Sequence, residues 1–221
     1  MTTKSIGIIV FPGSNCEYDV ASVLEAMGTK TRFIWHGQGD LGDVSGLILP
    51  GGFAHGDYLR PGAIARFSPV MSSVREFAKS GRSVLGICNG FQVLTEAGLL
   101  PGALQKNAHL KFLCKEVELE VASAKSSATS LTEIGQRLRL PINHFEGNYT
   151  CDPGTLGELE SNNQVVLRYV DNPNGSMNSI AGVCSIERNV VGMMPHPERA
   201  CDDLLGSVDG LQIFKSFISN L

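Results

Sequence analysis

One cysteine of this sequence stands where a backbone turn would present it for covalent chemistry. The segment Gly86-Ile87-Cys88-Asn89-Gly90 follows a buried apolar run and precedes a pattern of helical spacing. A nucleophile flanked by glycines at such a junction has the form of a nucleophile elbow, because glycine permits unusual backbone angles and close approach. The N-terminus of the following helix favours the thiolate of Cys88 over the thiol. The other interpretation is a small buried cysteine at a strand end.

His196 and Glu198 offer the base and the orienting group that a thiol nucleophile needs. The neighbouring residues Pro195 and Pro197 fix their own φ angles and disfavour helix at the positions before them. Such a stiff segment can hold His196 at the end of the preceding apolar strand, where Cys88 could meet it beyond the carboxyl ends of the sheet. Glu198 would then accept a hydrogen bond from the second imidazole nitrogen. The alternative is a packed histidine in a loop with a solvated glutamate.

Two backbone amides are candidates for stabilising an oxyanion. The amide of Asn89 opens the helix that follows Cys88, and Gly52 lies in Gly51-Gly52-Phe53 directly after the third apolar strand. Paired glycines after a strand are also common in ordinary turns. No Gly-x-Gly-x-x-Gly follows the first strand and no Walker loop occurs, so neither nucleotide-binding motif is present.

The remaining polar motifs carry less information. His144 and Glu146 lie two residues apart, and the sequence offers too few further ligands at suitable spacing, so we predict no metal site. The polar, glycine-rich loop 55–62 suits solvent or a partner contact. Four other cysteines are assigned to packing or to the surface: Cys114, Cys151, Cys184 and Cys201.

Alternating apolar strands and helices organise the first hundred residues. Strands are predicted at 5–11, 31–35, 46–50, 84–88, 116–121, 165–170, 180–186 and 190–194, and helices at 14–28, 68–81, 88–98 and near the C-terminus. Ser14 and Glu17 form a predicted capping box at the first helix. The segment 122–133 is expected to be a mobile surface loop. The pattern predicts an α/β fold: a doubly wound, mostly parallel sheet with helices on both faces and an antiparallel strand extension.

Composition limits the possible functions. The 221 residues are 43% hydrophobic and 18% charged, with a net charge of −4. These values exclude intrinsic disorder and predict one domain over residues 1–221. There is no basic surplus for nucleic acid or an anionic membrane, and no apolar run approaches the ~20 residues of a membrane span. The first residues lead straight into a strand, which favours structure over a signal peptide. Six cysteines without a Cys-x-x-Cys pair indicate a reduced, cytoplasmic protein.

Taken together, these motifs resemble the class I, triad-type glutamine amidotransferases. The segments 11–16, 51–60, 86–92 and 194–199 are most similar to one family within that class, the separate glutaminase subunits of phosphoribosylformylglycinamidine synthase. The similarity extends from the first strand to the final helix. The cysteine pentapeptide is shared by the wider class, whereas the long glycine-rich loop and the Pro-Gly-Ser-Asn-Cys turn are typical of this family.

The resemblance implies the following chemistry. Cys88 attacks the side-chain amide of glutamine, His196 transfers a proton to the leaving ammonia, Glu198 orients His196, and the amides of Gly52 and Asn89 hold the oxyanion. Gln92 matches a position that contacts the substrate, and His144 and Glu146 are further candidates for substrate binding. The expected partners are a large ATP-dependent synthetase subunit, which would carry ATP and Mg²⁺, and a small third subunit. No cofactor is expected on this chain.

Two other functions remain open at this stage. The same elbow occurs in stand-alone cysteine hydrolases, such as peptidases and γ-glutamyl hydrolases. It also occurs in redox-sensing or chaperone-like proteins, whose cysteine is oxidised rather than acylated. The latter would not need His196 and Glu198.

Overall fold

A nine-stranded mixed sheet forms the centre of the structure, a computed structural model that describes residues 4–221. The strands are β1 (Ser5–Val10), β2 (Lys30–Trp35), β3 (Gly46–Leu49), β4 (Ser83–Ile87), β5 (Ala103–Gln105), β6 (Leu113–Val121), β7 (Arg137–His144), β8 (Asn148–Thr150), β9 (Val165–Tyr169), β10 (Ile180–Cys184) and β11 (Val190–Met193). The helices are α1 (Glu17–Ala26), α2 (Val70–Lys79), α3 (Asn89–Glu96), α4 (Pro153–Ser161) and α5 (Gly210–Ser219). The large sheet has the order β2-β1-β3-β4-β11-β10-β9-β6-β7, and β5 pairs with β8 separately.

Five neighbouring strands of this sheet, β2, β1, β3, β4 and β11, run parallel. The predicted elbow at Cys88 follows β4, and the predicted pair of His196 and Glu198 follows β11. Strands β3, β4 and β11 are buried along their whole length, as expected for a parallel sheet covered on both faces. In the pairing of β4 with β11, Gly86 lies opposite Gly192 and Ile87 opposite Met193. The two strands therefore end together at their carboxyl edge. This register brings the segment after β4 beside the segment after β11.

An antiparallel extension continues the sheet through β10, β9, β6 and β7. The last strand of this extension, β7, contacts the segment that follows β11, because the amide of His196 donates to the carbonyl of Pro141 on β7 at 2.9 Å. The thiol of Cys88 also lies 3.7 Å from the carbonyl of Asn143 on the same strand. The predicted α/β fold with an antiparallel extension is confirmed.

Two local predictions are wrong. Ser14 does not cap α1, which begins at Glu17 with no side-chain cap; its hydroxyl instead accepts from the amide of Phe11 at 3.0 Å. The segment 122–133 is irregular but not a surface loop, since Ser126 and Thr129 are buried and hydrogen-bonded to each other at 2.7 Å.

Several elements have no counterpart in the sequence prediction, namely β5, β7, β8 and α4. No helix among residues 4–221 is long and apolar enough to cross a membrane. The prediction that the first residues belong to the folded structure includes residues 1–3, and these lie outside the described residues. The assignment of one domain to residues 1–221 stays a prediction.

We expect Gly90→Ala to destabilise the fold, because a β-carbon at this position would collide with the carbonyl group of Leu49 at the end of β3. Backbone cannot move aside as a side chain can, so the free energy of unfolding should fall by about 2 kcal/mol or more. Urea denaturation followed by circular dichroism measures the change. Gly157→Ala on α4 is the control: it meets nothing within 4 Å and should stabilise by up to about 1 kcal/mol. Equal stability of the Gly90→Ala protein and the parent would contradict the packing argument.

Candidate active site

Cys88 occupies a strained turn between β4 and α3. Its φ of 50° and ψ of −105° lie outside the regions that non-glycine residues ordinarily adopt. Two contacts hold this turn: the amide of Cys88 donates to the carbonyl of Met193 at 2.8 Å, and a β-carbon on Gly86 would come within 2.8 Å of the backbone of Gly90. The backbone strain and the close approach of Gly86 and Gly90 are what the predicted elbow requires.

His196 and Glu198 form a buried pair beside this turn. Nδ1 of His196 lies 2.5 Å from Oε1 of Glu198, and both residues are 2% exposed. With the carboxylate accepting from Nδ1–H, the lone pair of the neutral imidazole is on Nε2. That atom is buried and has no hydrogen-bond partner within residues 4–221. The pair therefore presents a potential proton acceptor in a dry environment.

The charges around His196 set its protonation. Burial acts to lower the pKa of His196, but the charge of Glu198, followed by the charge of Cys88 and the contact with Cys16, raises it well above the usual value. Cys88 and His196 lie at the same edge of the sheet, since the amide of Cys88 donates to the end of β11 and both residues contact β7. The structure thus places Cys88 and the His196–Glu198 pair together at this edge.

The amides of Gly52 and Asn89 flank the same turn. Backbone hydrogen bonds fix the residues on both sides of Gly52. The amide of Phe53 donates to the carbonyl of Gly13 at 2.8 Å, and the carbonyl of Gly51 accepts from the amide of Asn15 at 3.3 Å. Over the described part of the chain, neither the Gly52 amide nor the Asn89 amide has an acceptor. Gly51 lies against the ring of His196, where a β-carbon would come within 2.7 Å of Cε1. Both amides are thus available near the thiol and the imidazole.

The side chains of Asn89, Gln92 and Asp57 form a network on the other side of the turn. Nδ2 of Asn89 donates to Gln92 at 2.9 Å and to Asp57 at 3.1 Å, while its Oδ1 accepts from the amide of Ala54 at 3.0 Å. Nε2 of Gln92 donates to the carbonyl of Glu146 at 2.6 Å. Gln92 and Glu146 therefore share one rim of the site. Asp57 joins them without having been predicted.

His144 ends β7 inside the same region. It is 3% exposed, and its Nδ1 lies 3.1 Å from Oδ1 of Asn107. Burial, together with the charge of His196, lowers the pKa of His144 to about 4. The ring is therefore neutral at physiological pH. A β-carbon on Gly147 would collide with this ring, so the turn after β7 encloses it closely.

Cys16 and Arg199 are parts of the site that sequence reasoning missed. Sγ of Cys16 lies 4.0 Å from Nδ1 of His196 and accepts from the guanidinium of Arg199 at 3.2 Å. Arg199 also pairs with Asp19 at 3.4 Å. The sequence places Cys16 only at the start of the predicted helix 14–28, and nothing local links it to a histidine far along the chain.

Comparison with known proteins places the chain in a class. A model of the CobB/CobQ-like glutamine amidotransferase domain matches residues 3–210. The chain belongs to this family of glutamine amidotransferases.

Close relatives narrow the assignment and confirm the predicted resemblance. The phosphoribosylformylglycinamidine synthase subunit PurQ of Prochlorococcus marinus is 52% identical over 99% of this chain and 100% of its own length. The subunit of the same name from Rubrobacter xylanophilus is 55% identical over 97% of each chain. A chain of the PurLQS structure from Thermotoga maritima superposes with a TM-score of 0.91 at 41% identity, over 99% of each chain.

We expect Glu198→Gln to lower the pKa of His196. The substitution keeps the size of the side chain but removes the negative charge that raises the pKa, so burial of the imidazole would then dominate. Titration of the ring by NMR measures the shift. Glu158→Gln, an exposed change on α4, is the control and should leave the titration of His196 as it is. An unchanged His196 titration in Glu198→Gln would contradict the assigned role of this charge.

Asp57→Asn should stabilise the protein in a pH-dependent way. Burial and the charge of Glu146 raise the pKa of Asp57 from 3.8 to about 6. Ionising a carboxyl whose pKa is raised by folding costs stability above pH about 6, and this cost disappears as the pH falls toward about 4. Thermal unfolding of Asp57→Asn and parent should therefore show a gain at pH 8 that shrinks in acid. In a Glu146→Gln background the gain should be smaller; an equal gain at all pH values would refute the assignment.

Proposed function

We propose that this chain is the glutaminase subunit of phosphoribosylformylglycinamidine synthase. It hydrolyses glutamine to glutamate and ammonia and delivers the ammonia to an ATP-dependent partner. The partner converts formylglycinamide ribonucleotide to formylglycinamidine ribonucleotide in de novo purine biosynthesis. The observation that carries the proposal is the strained Cys88 beside the buried His196–Glu198 pair, in a chain 52% identical over 99% of its length to a subunit of that synthase.

The first half-reaction forms a thioester. Nε2 of His196 takes the proton of the Cys88 thiol, and the sulfur attacks the side-chain carbonyl carbon of glutamine. The oxyanion that forms is held by the amides of Gly52 and Asn89, which have no other acceptor in the described chain. His196 then gives its proton to the departing nitrogen, the carbon–nitrogen bond breaks, and ammonia leaves. Glu198 stabilises the charged imidazole throughout.

Hydrolysis of the thioester restores the enzyme. His196 now takes a proton from water, the hydroxide adds to the thioester carbon, and the same two amides hold the second oxyanion. The carbon–sulfur bond then breaks, glutamate leaves, and the proton on His196 returns to the sulfur of Cys88.

Three further residues are proposed to bind the substrate. Gln92 and Glu146 lie on one rim of the site, joined by a hydrogen bond of 2.6 Å from the Gln92 amide to the backbone of Glu146. His144 has a buried Nε2 with no partner within residues 4–221, which is suited to a polar group of glutamine. Substrate contact at this rim would hold the side-chain amide against Cys88.

The proposed assembly follows from the fate of ammonia. Ammonia is mostly protonated at neutral pH and is then a poor nucleophile, so transfer by a sheltered path to an attached synthetase is chemically sensible. A chain of the PurLQS structure from Thermotoga maritima is similar in fold and sequence, with a TM-score of 0.91 at 41% identity. By the same proposal, ATP and Mg²⁺ bind to the large synthetase subunit, a small third subunit completes the complex, this chain carries no cofactor, and the complex works in the cytoplasm.

The alternatives have less support. A redox-sensing or chaperone-like protein has no use for the buried His196–Glu198 pair. A stand-alone peptidase or γ-glutamyl hydrolase would not explain full-length similarity to subunits of a synthase.

Cys88→Ala should abolish glutamine-dependent synthesis in the reconstituted complex while added ammonium still supports it. The substitution removes only the sulfur that forms the thioester, so rates with glutamine should fall by at least about 10³-fold, the scale seen when nucleophiles are removed. Product formation from each nitrogen source measures the two rates. Cys114→Ser, an exposed thiol on β6, is the control and should keep both activities. Glutamine-dependent activity in the Cys88→Ala complex would overturn the mechanism.

A further inference from the structure

A second thiol lies on the side of His196 that faces away from Cys88. Sγ of Cys16 lies 4.0 Å from Nδ1 of His196, and Glu198 contacts the same nitrogen at 2.5 Å. One donor atom from each of the three side chains lies within 4.8 Å of the other two. All three residues are 2% exposed. Thiolate sulfur, imidazole nitrogen and carboxylate oxygen are together the donor set that Zn²⁺ prefers.

A second observation points to a ligand at this cluster. Oε2 of Glu198 is buried, belongs to a side chain with no exposed surface, and has no hydrogen-bond partner within residues 4–221. A buried carboxylate oxygen without a partner is costly unless something binds it. It is a further donor available to a cation that lies between the three side chains. The cluster therefore holds an unsatisfied donor as well as the right ligand types.

We propose that Cys16, His196 and Glu198 bind a thiophilic divalent cation such as Zn²⁺, and that this cation inhibits the enzyme. In a tetrahedral zinc site, sulfur, nitrogen and oxygen ligands lie about 3.5 Å apart. Here the sulfur–nitrogen distance of 4.0 Å would close slightly and the nitrogen–oxygen distance of 2.5 Å would open. Binding thus breaks the hydrogen bond between His196 and Glu198 and releases the protons of the Cys16 thiol and of Nδ1 to solvent. A water molecule completes the coordination.

Inhibition follows from the tautomer of the imidazole and rests on the proposed function. A cation on Nδ1 leaves the ring proton on Nε2, so that atom no longer accepts the proton of Cys88. Hard cations such as Mg²⁺ prefer oxygen ligands and do not compete for this thiolate site. The Mg²⁺ of an ATP-dependent partner is therefore compatible with an active glutaminase.

A cavity borders the cluster on the side of Glu198 and Arg199. A cavity of about 740 Å³ is lined by Glu198, Arg199 and Asp19 among others. Arg199 covers Cys16, but its side chain is 35% exposed and pairs with the outer residue Asp19 at 3.4 Å. The guanidinium can turn toward Asp19 when a cation takes the sulfur of Cys16. The positive charge of the cation then takes the place of the guanidinium charge beside Cys16.

Binding and inhibition are tested separately, so that failure of the proposed function is distinguishable. Co²⁺ is titrated into the full chain carrying Cys88→Ala, and thiolate-to-cobalt charge-transfer absorption in the near-ultraviolet reports sulfur ligation. We expect one Co²⁺ per chain, displaced by Zn²⁺ and absent when Cys16→Ser is added. Loss of the signal in Cys88→Ala alone, or its retention with Cys16→Ser, overturns the proposal. Co²⁺ binding by the Cys88→Ala chain, together with an absence of glutamine hydrolysis by the parent complex, would contradict only the proposed function.

Inhibition is then measured as glutamine hydrolysis by the complex at increasing free Zn²⁺. Cys16→Ser should weaken inhibition by at least about 10-fold, the lower end of what loss of even an outer partner costs a metal site. Cys201→Ser, a partly buried thiol outside the cluster, is the matched control and should be inhibited like the parent. Should Cys16→Ser fail to fold by circular dichroism, Glu198→Gln in the Cys88→Ala chain must weaken Co²⁺ binding instead. Equal affinity there would also refute the site.

Discussion

The packing of α3 against the end of β3 is the constraint on which the rest of the site depends. Gly90 brings the first turn of this helix against the carbonyl group of Leu49, at a distance that admits no side chain. Only with the helix this close does Cys88 take its φ of 50° between a buried strand and the helix N-terminus. The backbone strain at Cys88 is thus sustained by packing around it, and it fixes the thiol beside the amide of Asn89. The thiol of Cys88 is thus positioned by the packing of backbone and apolar groups.

Electrostatics in the dry interior complete what packing begins. Burial alone would keep His196 neutral, yet the carboxylate of Glu198 lies at 2.5 Å and the balance favours the charged ring. His144 has the opposite outcome, because burial and the charge of His196 lower its pKa and its hydrogen-bond partner is the neutral Asn107. Two buried histidines in one site therefore differ in charge because a carboxylate lies beside only one of them. This division suits a reaction in which one imidazole moves protons and the other does not.

The sequence predicts those parts of the site that depend on local patterns. Glycines around Cys88 and prolines around His196 each constrain their own backbone, and the parallel sheet then brings the two segments to one edge. Strand β7 escaped prediction because Pro141 interrupts its pattern, which an edge strand tolerates. The prediction of a surface loop at 122–133 fails because composition shows which groups are polar but not which groups they bond. In the structure the hydroxyl of Thr129 is hydrogen-bonded to that of Ser126. The contact of Cys16 with His196 joins residues 180 positions apart, and no local signal reports it.

The place of β11 in the sheet has a consequence for how the protein is made. This strand comes far after β4 in the chain, yet it inserts between β4 and β10 at the centre of the sheet. The nucleophile is therefore translated long before its base, and the turn at Cys88 lacks its bond to Met193 until β11 arrives. A nascent or truncated chain carries the cysteine but no means of activating it. The nucleophile and its base therefore come together only after β11 has joined the sheet.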